Sequence, residues 1–184
     1  MKILGIVCSP RKEGNTEILV QEALNAAKDA GAEVELLRIS ELKITPCDAC
    51  RTCSKNGKCW IQDDMQKVYE KLLEADGIII GSPVYFWTMS AYAKLLIDRT
   101  LALRFPEMRL ENKVGGAIVV ARRRGCVATL SALNTFMLGQ EMITAGLGVE
   151  AYAGDKGAVR KNEEDMKNAR ELGKRIVKLI KLRQ

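Results

Sequence analysis

Short apolar runs alternate with amphipathic stretches along the chain. Lys2 to Val7 is apolar and β-branched, and Ser9-Pro10 bounds it, which predicts a buried strand. A polar loop from Ser9 to Thr16 follows. Apolar positions at helical spacing (Ile18, Leu19, Ala23, Leu24, Ala27) then predict a helix that ends near Gly31. Glu33 to Ile39 predicts a second strand. Asp63-Asp64 is placed to open a helix carrying Val68, Leu72 and Leu73. Gly77 to Gly81 predicts a third strand, ended by Ser82-Pro83, with Val84 to Trp87 as a loop. Ser90 to Leu101 predicts a helix, Lys113 to Ala121 a fourth strand, Arg122 to Gly125 a loop, and Val127 to Ala145 a helix. Leu147 to Tyr152 is a short fifth strand. Glu163 to Leu182 is a last amphipathic helix with Ala169, Leu172, Ile176, Val177 and Ile180 on its apolar side.

Strands that alternate with helices predict an α/β fold, a parallel sheet covered on both faces. The favoured arrangement is a flavodoxin-like doubly wound five-stranded sheet, which binds ligands at the carboxyl ends of its strands. Residues 1–184 read as a single domain. The segment 40–62, between the second strand and the next helix, is long for a connection and reads as a cysteine-rich insertion.

Composition narrows the chemistry. The net charge of +6 is a mild basic excess. It fits phosphates or acidic partners, but an ordinary solvated surface is the favoured reading. No apolar run approaches the ~20 residues of a membrane span, and the first apolar run is too short for a signal-peptide core, so a cytoplasmic protein is expected. Neither aromatic–basic strands nor a helix-turn-helix pattern points to nucleic acid. The chain has no histidine, which excludes Ser-His and Cys-His nucleophile pairs and the commonest zinc ligand. Six cysteines in such a chain point to metal or redox chemistry before a disulfide framework.

Four of the six cysteines, Cys47, Cys50, Cys53 and Cys59, fall between Pro46 and Trp60. Thiolates this close repel one another unless a cation, a cluster or a covalent bond holds them. Iron–sulfur clusters tolerate tight Cys-x2-Cys-x2-Cys spacing. Structural zinc prefers two separated pairs. Disulfides need an oxidising compartment. One [4Fe–4S] cluster is therefore expected, with three close ligands and the more distant Cys59 reaching four corners. Arg51, Lys55 and Lys58 would offset its negative charge.

Three loops at predicted strand ends carry the other candidate residues. In the first, Ser9, Arg11, Gly14, Asn15 and Thr16 stand ahead of a helix N-terminus and suit a phosphate, best a monophosphate. A simple helix cap at Asn15 or Thr16 is the plain alternative. In the second, Pro83, Val84, Tyr85, Phe86 and Trp87 gather aromatics beside a strand end and suit a planar ring such as an isoalloxazine, or else cap the core or fill an interface. The third runs from Ala121 through Arg122, Arg123, Arg124 and Gly125 to Cys126. Its arginines suit a pyridine-nucleotide phosphate or an acidic carrier, or are simply solvated. Cys8 and Cys126 fit as small buried hydrophobes.

Ser9-Pro10-Arg11, Gly14-Asn15-Thr16, Ser82-Pro83-Val84-Tyr85, Lys94 and Asp98-Arg99 resemble the NADPH-dependent FMN reductase branch of flavodoxin-like proteins. With the cysteine motif after the second strand, the chain resembles the iron–sulfur flavoproteins over essentially its whole length. The resemblance implies FMN and one [4Fe–4S] cluster per subunit, and a homodimer or a homotetramer of two dimers. It implies a flavin-dependent oxidoreductase, with electron transfer between cluster and flavin across subunits. Ferredoxin, or NAD(P)H, would be the donor, and oxygen, peroxide or a quinone the acceptor. Ser9, Arg11, Asn15 and Thr16 would hold the FMN phosphate. Pro83 to Trp87 and the 121–126 loop would border its ring. The family's glycine-rich stretch is largely replaced here by Arg122–Arg124 and Cys126, whereas Thr129-Leu130 remains. Two rival readings stand beside this one: an NAD(P)H-dependent FMN or quinone reductase with structural zinc at the cysteines, and a non-enzymatic redox sensor.

Overall fold

The computed structural model describes residues 1–183. Its strands are β1 (Lys2–Val7), β2 (Glu33–Arg38), β3 (Gly77–Tyr85), β4 (Thr88–Met89), β5 (Val114–Ala121), β6 (Ile143–Thr144) and β7 (Val149–Tyr152). Its helices are α1 (Asn15–Asp29), α2 (Cys53–Asn56), α3 (Met65–Glu74), α4 (Ala91–Arg99), α5 (Cys126–Gly139) and α6 (Glu163–Arg183). The sheet runs β2-β1-β3-β5-β6, all parallel, with β7 also paired to β5.

Five strand positions therefore appear in the expected flavodoxin-like order. The fifth is divided: Ile143 and Thr144 pair with Val114 and Gly115, while Val149 to Tyr152 pair with Ile118 to Ala121. The seventh strand in the count is β4, which returns antiparallel against the end of β3.

β1, β3 and β5 are buried on both faces, which is why they read as unbroken apolar runs. One core cluster lies under α3, α4 and α5 and includes Val68, Leu96 and Leu133. The other lies under α1 and α6 and includes Leu19, Leu24, Leu172 and Ile176.

Three boundaries differ from expectation. β3 does not stop at Ser82-Pro83 but continues to Tyr85. Its pairing with β1 ends at Val7 opposite Gly81, while pairing with β5 goes on to Pro83. Beyond Gly81 one edge of β3 is open, and a proline without an N–H is tolerated there. α5 ends at Gly139, not Ala145, because Ile143–Thr144 leaves the helical path to pair with β5. The helix after Ser90 ends at Arg99 and continues as a single 3₁₀ turn through Leu103.

No described helix is long and apolar enough to cross a membrane.

Candidate functional site

The loops that follow β1, β3, β5 and β7 meet at one end of the sheet. They enclose a cavity of about 460 Å³ whose wall includes Ser9, Arg11, Asn15, Thr16, Tyr85 and Arg122. Gly14 caps α1 with no side-chain hydrogen bond, so the main-chain donors of the first turn have no capping acceptor. Those donors and the helix dipole favour an anion at this point. Glu17 in the same turn would oppose that anion, but its charge is taken up elsewhere. Arg38 Nε donates to it at 2.9 Å, a second guanidinium nitrogen also donates, and Glu13 N donates at 2.9 Å. Arg38 holds the Glu17 carboxyl below the usual carboxylate range.

Asn15 plays a different part from a direct phosphate donor. Its Nδ2 donates to Asp155 O at 2.8 Å and Ala153 O at 3.4 Å, and its Oδ1 accepts from Val159 N at 3.3 Å. The side chain thus ties the loop after β7 to the first loop. Ala153, Gly154, Asp155 and Lys156 line the cavity, and sequence reasoning missed them. The signal was there: a Gly-Asp-Lys-Gly turn just past the last strand, at the end where this fold places ligands.

A small buried network fixes the second loop against the first. Ser90 Oγ donates to Cys8 O at 2.6 Å, and Ser90 N donates to Ser82 Oγ at 3.0 Å. Tyr85 pairs with Thr88, leaving Phe86 and Trp87 as a two-residue hairpin turn with φ of 46° and 77°. Such turns prefer Asn-Gly, and aromatic side chains in left-handed backbone are strained there. The strain displays Phe86 at 95% and Trp87 at 59% exposure. A second cavity of about 500 Å³ opens beside them, lined by Val84, Phe86, Trp87, Arg122, Arg123 and Arg124. It shares Val84 and Arg122 with the first. Trp87→Gly is expected to raise the melting temperature by about 2–4 °C, as relief of ~1 kcal/mol does in a domain this size. The same substitution should weaken flavin binding. A lower melting temperature in thermal unfolding would rule the strain out.

Ala121, Gly125 and Cys126 are absent from the walls of both cavities. Gly125 begins α5 at φ 96°, and a side chain there would press on Val84 and the Trp87 carbonyl. It lets the helix start lie against the aromatic turn. The Cys126 thiol is buried against Ala151 O, and burial pushes it up, as it does Cys8. Both are inert packing groups.

The cysteine segment lies over the α4 and α5 side of the sheet. Cys47, Cys50, Cys53 and Cys59 all line one cavity of about 510 Å³, floored by Ile97, Leu101 and Phe136. Among the described residues, no three such side chains close on a single-ion site. Ala49 and Arg51, on either side of Cys50, have φ of 58° and 59°. Asp48 accepts from Cys50 N at 3.2 Å and from Trp60 Nε1 at 2.9 Å, joining the start of the segment to its end. Cys53 is pushed up by burial and then by the charges of Cys59, Cys47 and Cys50. Four cysteines around one cavity fit a group with several thiolate-binding corners.

The parallel sheet and its strand-end cavity define a flavodoxin-like α/β protein. Residues 1–155 match the NADPH-dependent FMN reductase family. An iron–sulfur flavoprotein of Methanocaldococcus jannaschii is 41% identical, covering 99% of this chain and 98% of that protein. The chain belongs to the iron–sulfur flavoproteins, a branch of the FMN reductase family. Among solved structures, RosB with bound 8-demethyl-8-formylriboflavin-5'-phosphate superposes with a TM-score of 0.81 at 17% identity, over 99% of this chain and 79% of that one. A flavodoxin, WrbA-like protein from Agrobacterium tumefaciens gives 0.70 at 17% identity, over 100% and 98%.

Proposed function

We propose that the protein passes electrons between a [4Fe–4S] cluster held by Cys47, Cys50, Cys53 and Cys59 and FMN held at the strand-end cavity. The observation that carries this reading is the placement of all four thiols around one cavity. Four cysteines around one cavity, with no three of the described side chains closing on a single ion, support a cluster over structural zinc, which draws its ligands onto one tetrahedral centre. Ser9, Arg11, Thr16 and the first-turn N–H groups of α1 would hold the FMN phosphate. Asn15 would position the loop of residues 153–156 around it. Pro83 to Trp87 and Arg122 would border the ring. Ala121, Gly125 and Cys126 would act from behind, by setting the start of α5. When bound, the two groups supply one-electron relay and flavin chemistry; the side chains bind, orient and exclude water.

The donor is ferredoxin or NAD(P)H, and the acceptor is small: oxygen, peroxide or a quinone. The working unit is a homodimer or homotetramer. α5 begins at the flavin end and finishes at Phe136–Gly139 beside the cysteines, a run of about 20 Å. Val127 and Leu138 are exposed along it, with Leu147 beside them. Two such helices packed antiparallel about a two-fold would bring one copy's cysteine cavity beside its partner's flavin cavity.

An anaerobic preparation tests this directly. It should be brown and contain iron and acid-labile sulfide in proportion to FMN. Reduced ferredoxin should reduce it, and sedimentation should give a dimer or tetramer. A bright yellow sample with zinc and no sulfide would replace this reading with the FMN or quinone reductase. A loaded protein that fails to turn over with any donor–acceptor pair would leave the redox sensor.

A further inference from the structure

Arg99 is the largest fully buried side chain in the protein, at 2% exposure, and lies at the end of α4 beneath the cysteine segment. Its Nη1 donates to Thr45 O at 2.6 Å and to Asp63 Oδ2 at 2.7 Å. Its Nη2 donates to Asp63 Oδ1 at 3.2 Å and to Ile61 O at 3.3 Å. Thr45 stands just before Cys47 and Ile61 just after Cys59. One guanidinium therefore grips both stems of the loop that carries the four cysteines.

Asp63 completes the junction. It accepts from Thr45 N at 2.8 Å and Met65 N at 3.0 Å. Burial pushes its carboxyl up, but Arg99 and these two N–H groups outweigh that and hold it below its ordinary value. Tyr69 donates to Arg99 O at 2.8 Å and fixes the helix end from below. Arg109 holds the middle of the loop separately, donating to Gly57 O at 2.7 Å.

A purely structural junction does not need a buried cation. Apolar replacements of buried ion pairs are often neutral or stabilising. Here the charge has a further consequence, because the guanidinium is bonded to the Ile61 carbonyl, two residues past Cys59. Its Nε is buried and has no partner among the described residues. Without this cation the ionised Asp63 would stand unpaired under the loop, so Arg99 favours the more negative, reduced form of whatever the thiolates bind.

We propose that Arg99 is the positioning residue of the cysteine loop, fixing both its stems and, as a buried cation bonded to those stems, raising the reduction potential of the iron–sulfur group held there. This rests on the cluster reading above. The test compares the wild type with Arg99→Lys, which keeps the charge but loses the fork, and Arg99→Gln, which loses both. FMN content and melting temperature report folding. Both variants should release iron to a chelator roughly 10-fold faster or more, as outer-shell changes do at metal sites. The midpoint potential of the cluster should fall in Arg99→Gln and stay near the wild-type value in Arg99→Lys. Wild-type release and potential in a folded Arg99→Gln overturn the proposal, as does an equal fall in both variants. Limited proteolysis of the iron-free forms separates the two readings. Faster cleavage within residues 46–60 in Arg99→Gln supports the clamp even if the wild type holds no iron, a result that would sink only the cluster assignment. Should Arg99→Gln not fold, Asp63→Asn loosens the same stems, and iron release no faster than wild type there overturns the proposal.

Discussion

Cys50→Ala protein is expected to purify with FMN bound and with its iron and acid-labile sulfide lost. Cys50 is solvent-exposed and belongs to neither core cluster, so its thiol contributes little to folding. Its position is nonetheless specified. Ala49 and Arg51 take left-handed backbone on either side, at a cost of order 1–2 kcal/mol each. Asp48 also turns back to accept the Cys50 N–H. That strain has no packing return, and it makes sense where the exposed thiol must point at a shared centre. The flavin cavity is built by other loops, and no residue lines both it and the cysteine cavity. The two cofactor contents should therefore separate: metal analysis falls toward zero while FMN per chain holds. Full iron and sulfide in Cys50→Ala would remove this residue from the ligand set and return the loop to another chemistry. Loss of FMN together with iron would mean the two cavities are coupled, as the antiparallel α5 arrangement allows only between subunits.

How far the chain could be read depended on how local each signal was. β1, β3 and β5 are buried on both faces, so their apolar runs announce themselves. The same rule misassigned Met142 to Ala145, a short apolar run following a helix. Periodicity alone does not separate a helix's last turn from a strand, and the pairing of Ile143 with Val114 decides it. Pro83 looked like a terminator because its tolerance depends on β1 having already stopped opposite Gly81.

The site behaved the same way. Ser9, Arg11 and Thr16 stand out by residue type next to a helix start, and all three line the strand-end cavity. Asn15 looks identical in sequence, yet its amide is committed to a loop some 140 positions away. The loop at 153–156 offers only its Gly-Asp-Lys-Gly turn in sequence, and its place in the cavity wall follows from β7 lying beside β5. Arg99 was noticed as part of a pattern, but its role lies in partners from both ends of a distant insertion. Each missed feature is a contact between segments far apart in the chain.

Arg11→Ala is expected to weaken FMN binding by about 1.5 kcal/mol, roughly tenfold in Kd, with no loss of iron. Arg11 lines the strand-end cavity and is exposed, so the lower end of the range for charge-assisted bonds applies. Titration of the apoprotein with FMN, followed by flavin fluorescence, measures it. The main-chain donors at the start of α1 remain in the variant, which is why binding should weaken and not vanish. Riboflavin supplies the control. It lacks the phosphate, so its affinity should be the same in the wild type and in Arg11→Ala. An FMN affinity unchanged by the substitution would shift the phosphate toward Lys156, which lines the same cavity and pairs with Glu13 at 3.5 Å. Lys156→Ala would then carry the loss that Arg11→Ala did not. If instead riboflavin weakens as much as FMN, Arg11 acts through the shape of the loop, and the anion is held by the helix start alone.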